Sequence, residues 1–376
     1  MTKNYLTYLY RIPSYSKLIF SLVLLNLLFT YNLNAQSLSP HFNKEELIDM
    51  LKITGNIKGT LLTSDIKPPK TYSKVYESKE VGLANLWELW YNKERDVSVI
   101  AIRGSVGAKE SWLSNFYAAM VPAQGQLQLS PDENFKYNLA DSKDATVHVG
   151  WLVSTAYLIK DMLPQIDSMY QMGHKDFIVS GHSQGGALSV LITAHLYQLQ
   201  KESKLPHDIR FKTYTMASPK PGNMYFAYNY ENITRDWAFH AINTQDWVPE
   251  VPLSVQTLDN FNEINIFTSL DQMIKKQSFF KRIFGRILYN RIKNPPIKSQ
   301  KRYEKYLGKI MFKQIKKYLP QLVEPIYASD SNYMRCGHSI ILQGDKEYDN
   351  KFTDPKNTMS HHRHQAYIYL AEKLVE

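Results

Sequence analysis

The chain has 376 residues, 44% of them hydrophobic and 21% charged, with a single cysteine, Cys336. That is enough apolar material for one large α/β domain or two modest ones and excludes a disordered chain, while one cysteine excludes an intrachain disulfide framework and a cysteine-based metal cluster. The net charge of +10 is local: 15 Lys or Arg and one acid, Glu304, lie between Lys275 and Lys317, so that segment carries +14 and the rest −4, which argues against a protein that coats nucleic acid over its whole surface.

Near the N-terminus, Lys3, Arg11 and Lys17 precede the apolar run 18–29, and a polar stretch ends at Leu33-Asn34-Ala35. A basic region, an apolar core and a small residue predict a secretory signal peptide over 1–35, cleaved after Ala35. The run is 12 residues and contains Ser21 and Asn26, short for a bilayer span, with an uncleaved anchor as the competing reading. No cysteine sits near the cut, so a lipid anchor is not expected.

Residues 42–51 predict an amphipathic helix with Lys44, Glu45, Glu46 and Asp49 on its wet side. Residues 64–74 contain prolines and read as irregular. Strands are predicted over 84–91 and 97–102, the second running into Arg103-Gly104-Ser105, and a helix over 112–119. The polar, Gly- and Pro-bearing stretch 121–146 predicts a surface loop. A helix from 151 to about 170 follows, with Pro164 as its kink or break. Further strands at 176–180, 212–216 and 237–242 alternate with helices, which predicts a largely parallel α/β sheet. Late in the chain, Phe279, Phe280, Ile283, Phe284, Ile287 and Leu288 recur at helical spacing among Lys and Arg. The stretch 303–319 behaves likewise, and Pro295-Pro296 separates the two, giving a basic helical hairpin inserted at about 262–330.

The chemistry is carried first by Gly181-His182-Ser183-Gln184-Gly185, a G-x-S-x-G sequence between an apolar strand and an apolar helix. A serine on a strained turn between two such elements needs neighbours without Cβ atoms, so Gly181 and Gly185 mark Ser183 as a nucleophile on an elbow. A nucleophilic serine requires a base and a group that orients it. Asp246, just beyond a strand, is the acid candidate, with a turn-capping Asp as the alternative. The base candidates are His361, His362 and His364, which could also form a metal site or a solvated helix start.

These motifs resemble the class 3 lipases, the fungal triacylglycerol lipases and plant acylhydrolases. The likeness covers roughly 72–260 and 332–374 and rests on five motifs in the family's order. Ile102-Arg103-Gly104-Ser105, with Trp112 following, is similar to the oxyanion loop. His148-Val149-Gly150-Trp151 is similar to the His-x-Gly-Phe entry to the helix before the elbow. The elbow extends as Gly181 to Gly186, Ala217-Ser218-Pro219-Lys220-Pro221-Gly222-Asn223 is similar to the turn after the next strand, and 243–252 to the acid loop.

The resemblance implies an α/β-hydrolase fold as one domain over 36–376, with Ser183 as nucleophile and Asp246 as orienting acid. It also implies an oxyanion hole from the backbone N–H groups of Gln184 and Ser105, with the Ser105 hydroxyl as a further candidate donor. For the base it favours His362, because the family often places a Tyr five residues later and Tyr367 fits; the fungal spacing selects His364, and His361 is third. Asn115 stands where the family has an Asp, and the insertion at 262–330 has no counterpart in it. The implied reaction is hydrolysis of lipid carboxylic esters, acylglycerols or phospholipids, through an acyl-enzyme, with no metal or organic cofactor. The alternative is a catalytically idle lipid- or membrane-binding protein on the same scaffold. The basic amphipathic stretch 275–317 suits an anionic membrane surface or, alternatively, packs on the domain. The expected location is periplasmic or secreted, with possible membrane association, and no nucleic acid is expected as a partner.

Overall fold

The computed structural model describes residues 38–60 and 66–375; the expected signal peptide over 1–35 lies outside them. The chain opens with helix α1 (Lys44–Gly55), capped by the Asn43 side chain, which accepts from the Glu46 N–H. Three strands follow, β1 (Tyr72–Glu77), β2 (Trp87–Asn92) and β3 (Val97–Ile102). After helix α2 (Lys109–Phe116) come β4 (Met120–Pro122), β5 (Gln124–Ser130), β6 (Glu133–Asn138) and β7 (Thr146–His148). The doubly wound centre is α3 (Val149–Gln171), β8 (Asp176–His182), α4 (Gln184–Lys201) and β9 (Arg210–Met216). Then come β10 (Gly222–Asn223), α5 (Met224–Ile233) and β11 (Ala238–Asn243). The insertion contributes α6 (Ile266–Lys275), α7 (Phe279–Arg302), a π-helix (Tyr303–Ile310) and α8 (Met311–Ile315). The chain ends with β12 (Tyr333–Met334), β13 (His338–Leu342), α9 (Lys346–Phe352), a 3-10 turn (Ser360–His362) and α10 (His364–Glu372).

The main sheet has the order β1-β2-β3-β8-β9-β11-β13. Its first two pairings are antiparallel, and those from β3 to β13 are parallel. The central strands are buried on both faces, as helix-covered parallel sheets require. One apolar cluster joins the sheet to α3 and α4 through residues such as Trp87, Phe177 and Leu188; the other joins it to α1 and α10 through Leu51, Tyr214 and Leu370. This is an α/β-hydrolase architecture with a largely parallel central sheet. Among the described residues no helix is long and apolar enough to cross a membrane.

The structure corrects four expectations. The stretch 121–146 is not a surface loop: β5 and β6 form a hairpin whose Leu127, Leu129 and Tyr137 are buried in the core. Glu46 is not on the wet side of α1 but 1% exposed, ion-paired to the buried Lys212 at 2.7 Å, with Arg95 as a second partner and the Tyr214 hydroxyl donating to it at 2.8 Å. A carboxylate at that depth persists because cations and hydroxyls replace its hydration. Pro164 does not end α3, and Pro295-Pro296 do not divide the insertion, since α7 runs through both prolines to Arg302. Each proline removes one backbone donor, and tertiary anchoring beyond them holds the helix: the buried Gln300 side chain donates to the Ser329 carbonyl, and the Tyr303 hydroxyl donates to the Leu253 carbonyl at 2.5 Å.

Candidate active site

The ends of β3, β8 and β11 converge on one edge of the sheet, where the sharp turn after β8 holds Ser183 at φ 59°. A Cβ on Gly181 would lie 2.2 Å from the Gly185 carbonyl carbon, and one on Gly185 would lie 2.3 Å from the Ile102 carbonyl oxygen. Neither position admits a side chain, so these glycines allow β3, β8 and α4 to pass closely enough to raise the serine above the sheet. The Ser183 N–H donates to the Met216 carbonyl at 2.9 Å, which ties the elbow to β9.

Asp246 lies just past β11 and is 4% exposed. Its Oδ2 pairs with His362 Nδ1 at 2.7 Å and accepts from the Tyr367 hydroxyl at 2.8 Å, while Oδ1 accepts from the Val248 N–H at 3.0 Å. Burial pushes the Tyr367 hydroxyl well above its ordinary range, so it acts as a donor. The other ring nitrogen of His362, Nε2, is buried and makes no hydrogen bond among the described residues. His362 lines the same cavity as Ser183.

The neighbouring histidines are placed differently. His361 turns to Tyr348, Nδ1 to hydroxyl 2.8 Å, and its carbonyl accepts from the Asn243 amide at 2.9 Å. His364 stacks on His182, ring centroids 3.9 Å apart, burial holds it down at about 3, and both rings line the cavity beside Ser183. His182 is likewise lowered by burial. Among the described residues no group of three or more His, Cys, Asp or Glu is placed to hold a metal ion.

On the opposite side of Ser183, the loop after β3 brings Ser105 beside Gln184. The Ser105 hydroxyl donates to Gln184 Oε1 at 3.0 Å and accepts from Asn115 Nδ2 at 2.9 Å. Its one proton is therefore spent inside the protein, which leaves backbone N–H groups as the free donors there. Asn115 Oδ1 accepts in turn from the Trp151 indole at 3.0 Å, and His148, held neutral by burial at about 3, bonds the Asn115 carbonyl at 3.1 Å. An Asp at 115 could not donate to the Ser105 oxygen, so the amide serves here as a two-way brace. Arg103, behind the loop, donates to the Lys58 and Ala84 carbonyls at 2.9 Å and pairs with Glu80 at 2.6 Å.

The cavity encloses about 360 Å³ beside Ser183, with Trp112, Phe116, Trp151, Trp247, Leu253 and Leu307 in its wall. Two contacts of the site were only partly legible in the sequence. The Tyr367 bond to Asp246 was signalled only by spacing, and the brace at Asn115 was carried by an apparent departure from the family pattern.

Residues 99–256 match the family described as Lipase (class 3). A lipase of Rhizopus niveus is 33% identical over 122 residues, 31% of this chain and 30% of its own length. A secreted mono- and diacylglycerol lipase of Malassezia globosa is 25% identical over 167 residues, 44% of this chain and 50% of its own length. Lipase II from Rhizopus niveus, a solved structure, aligns with a TM-score of 0.42 at 21% identity, over 56% of this chain and 75% of its own. The chain thus spans about a third to a half of these curated relatives, and the matched family segment stops before the insertion and the histidine turn. Over 99–256 the chain is similar to the class 3 lipases.

Proposed function

We propose that this protein is a serine hydrolase that cleaves carboxylic esters of lipids in two acyl-transfer steps. The observation that carries the reading is that His362, paired at 2.7 Å with the buried Asp246, lines one apolar cavity with an elbow serine at φ 59°. His362 takes the Ser183 proton through Nε2 as the serine oxygen attacks the ester carbonyl. Asp246 holds the tautomer with Nδ1 protonated and stabilises the imidazolium; Tyr367 and the Val248 N–H keep the carboxylate oriented. The backbone N–H groups of Ser105 and Gln184 receive the oxyanion, each such donor contributing about 10²–10³-fold in rate. Collapse expels the alcohol, which leaves with the proton from His362, and water activated by the same histidine then releases the acid and restores Ser183.

The substrate surface is proposed from the insertion. On α7, Phe280, Phe284 and Ile292 are 83, 70 and 66% exposed, with Phe279, Ile287 and Leu288 also bare to solvent. An apolar stripe flanked by Lys281, Arg282, Arg286 and Arg291 suits an anionic bilayer, where each basic residue near the surface contributes about 1 kcal/mol. The same exposure disfavours the reading in which this stripe packs on the domain. We further propose one domain over 36–376 exported by the leader 1–35, a reading supported by the matched relative that is named as secreted.

The test compares the mature protein with Ser183→Ala on a soluble p-nitrophenyl ester and on anionic phospholipid vesicles. The parent hydrolyses both, and the variant loses about 10⁴-fold or more. A folded parent inactive on both, and unlabelled by a fluorophosphonate, would instead make this an idle binding protein.

A further inference from the structure

The insertion does more than project a hairpin into solvent. Its π-helix reaches back over the elbow, and Tyr303 and Leu307, one turn apart, line the cavity with Ser183 and Leu253. π-helical turns are uncommon and are frequent at functional sites. This one is fixed to the domain. The Tyr303 hydroxyl bonds the Leu253 carbonyl, and the Ala119 N–H donates to the Leu307 carbonyl at 3.1 Å. Gly308 packs so closely that an added Cβ would lie 3.0 Å from the Ala119 Cβ and 3.2 Å from the Tyr327 ring. Beyond it, Phe312, Ile315, Leu319 and Leu322 enter the main apolar core.

We infer that this insertion-borne wall, Leu307 backed by Tyr303, sets the length of acyl chain that the site accepts. The inference rests on the ester-hydrolase reading and extends it to specificity. Two sides of the cavity differ in firmness. Trp112 and Phe116 on α2 are 38 and 54% exposed, whereas the half-buried Leu307 is tethered through its own carbonyl and flanked by the closely packed Gly308. A chain leaving Ser183 meets a fixed apolar side chain there. In an apolar pocket a methylene that fits or fails to fit changes discrimination by about 10–200-fold, so one residue at such a wall can move the preferred length.

The experiment measures kcat/KM on p-nitrophenyl acetate, butyrate, octanoate and laurate for the parent, Leu307→Ala, Leu307→Trp and Tyr303→Phe, with thermal unfolding as the check on folding. Leu307→Trp lowers the laurate-to-acetate ratio about 10-fold or more. Leu307→Ala moves the optimum toward longer chains, and Tyr303→Phe, which loosens the wall and keeps the ring, raises KM for laurate more than for acetate. If Leu307→Trp does not fold, Leu307→Ala decides alone. Chain-length profiles of folded variants that superimpose on an active parent overturn the inference and leave the hydrolase reading intact; a parent that hydrolyses none of the four esters removes both.

Discussion

At the proposed acid–base corner directed hydrogen bonds hold the carboxylate and sort the histidines around it. Asp246 accepts from His362, Tyr367 and the Val248 N–H, and His361 is drawn away by Tyr348 and Asn243. Along α7 the reverse holds: apolar side chains stand in solvent, and Gln300 is its buried residue among those described. Hydrogen bonds are directional and fix a geometry to a few tenths of an ångström, which proton transfer requires. Apolar area is non-directional and adheres to any surface that excludes water, as an interface with many lipid arrangements requires. The two regions meet at the π-helix, where the insertion passes from adhesive to fixed.

Three changes test that contrast. The largest effect is expected from Asp246→Asn, which keeps the volume but loses the charge and favours the wrong His362 tautomer; kcat on a soluble ester falls about 10⁴-fold. A loss under tenfold would remove Asp246 from the orienting role. Next, replacing Phe280, Phe284 and Leu288 together by Ser lowers the rate on anionic vesicles about tenfold more than the rate on a soluble ester. Equal losses on both substrates would make the hairpin a structural element and erase its half of the contrast.

The third test concerns pH and stability rather than rate. Burial holds His148, His240 and His364 near about 3 and His195 near about 4, so the folded protein keeps them neutral. The unfolded chain takes up those protons first, near pH 6.5. Their contribution is complete above that value and is lost as pH falls toward 3–4, at up to about 1.4 kcal/mol per pH unit for each histidine. Urea midpoints should therefore drop between about pH 7 and pH 5, less steeply in His240→Gln. The hairpin substitution should leave that slope unaltered, since no histidine lies in 266–302.

What the sequence reveals follows the same division. The elbow and the strand at 97–102 are legible because local sterics and continuous apolar runs dictate them. The hairpin within 121–146 is missed because its Gln and Gly obscure a period-two pattern in which Leu127, Leu129 and Tyr137 alternate with polar residues. Glu46 reads as solvated because its partners Lys212 and Arg95 are remote in the chain. The histidine turn stays ambiguous for the same reason: what separates His362 from His361 and His364 is contact with Asp246, which no local pattern contains.

Asp246 and His362 lie 116 residues apart, and the insertion occupies more than half of that span. In polymer terms the pair closes one large loop, and each doubling of such a loop costs only about 0.6 kcal/mol of closure entropy. Accommodating the insertion there costs the acid–base contact roughly that amount. Between these two residues a chain can acquire a basic, apolar appendage at almost no thermodynamic penalty, provided the appendage returns to the sheet by β13.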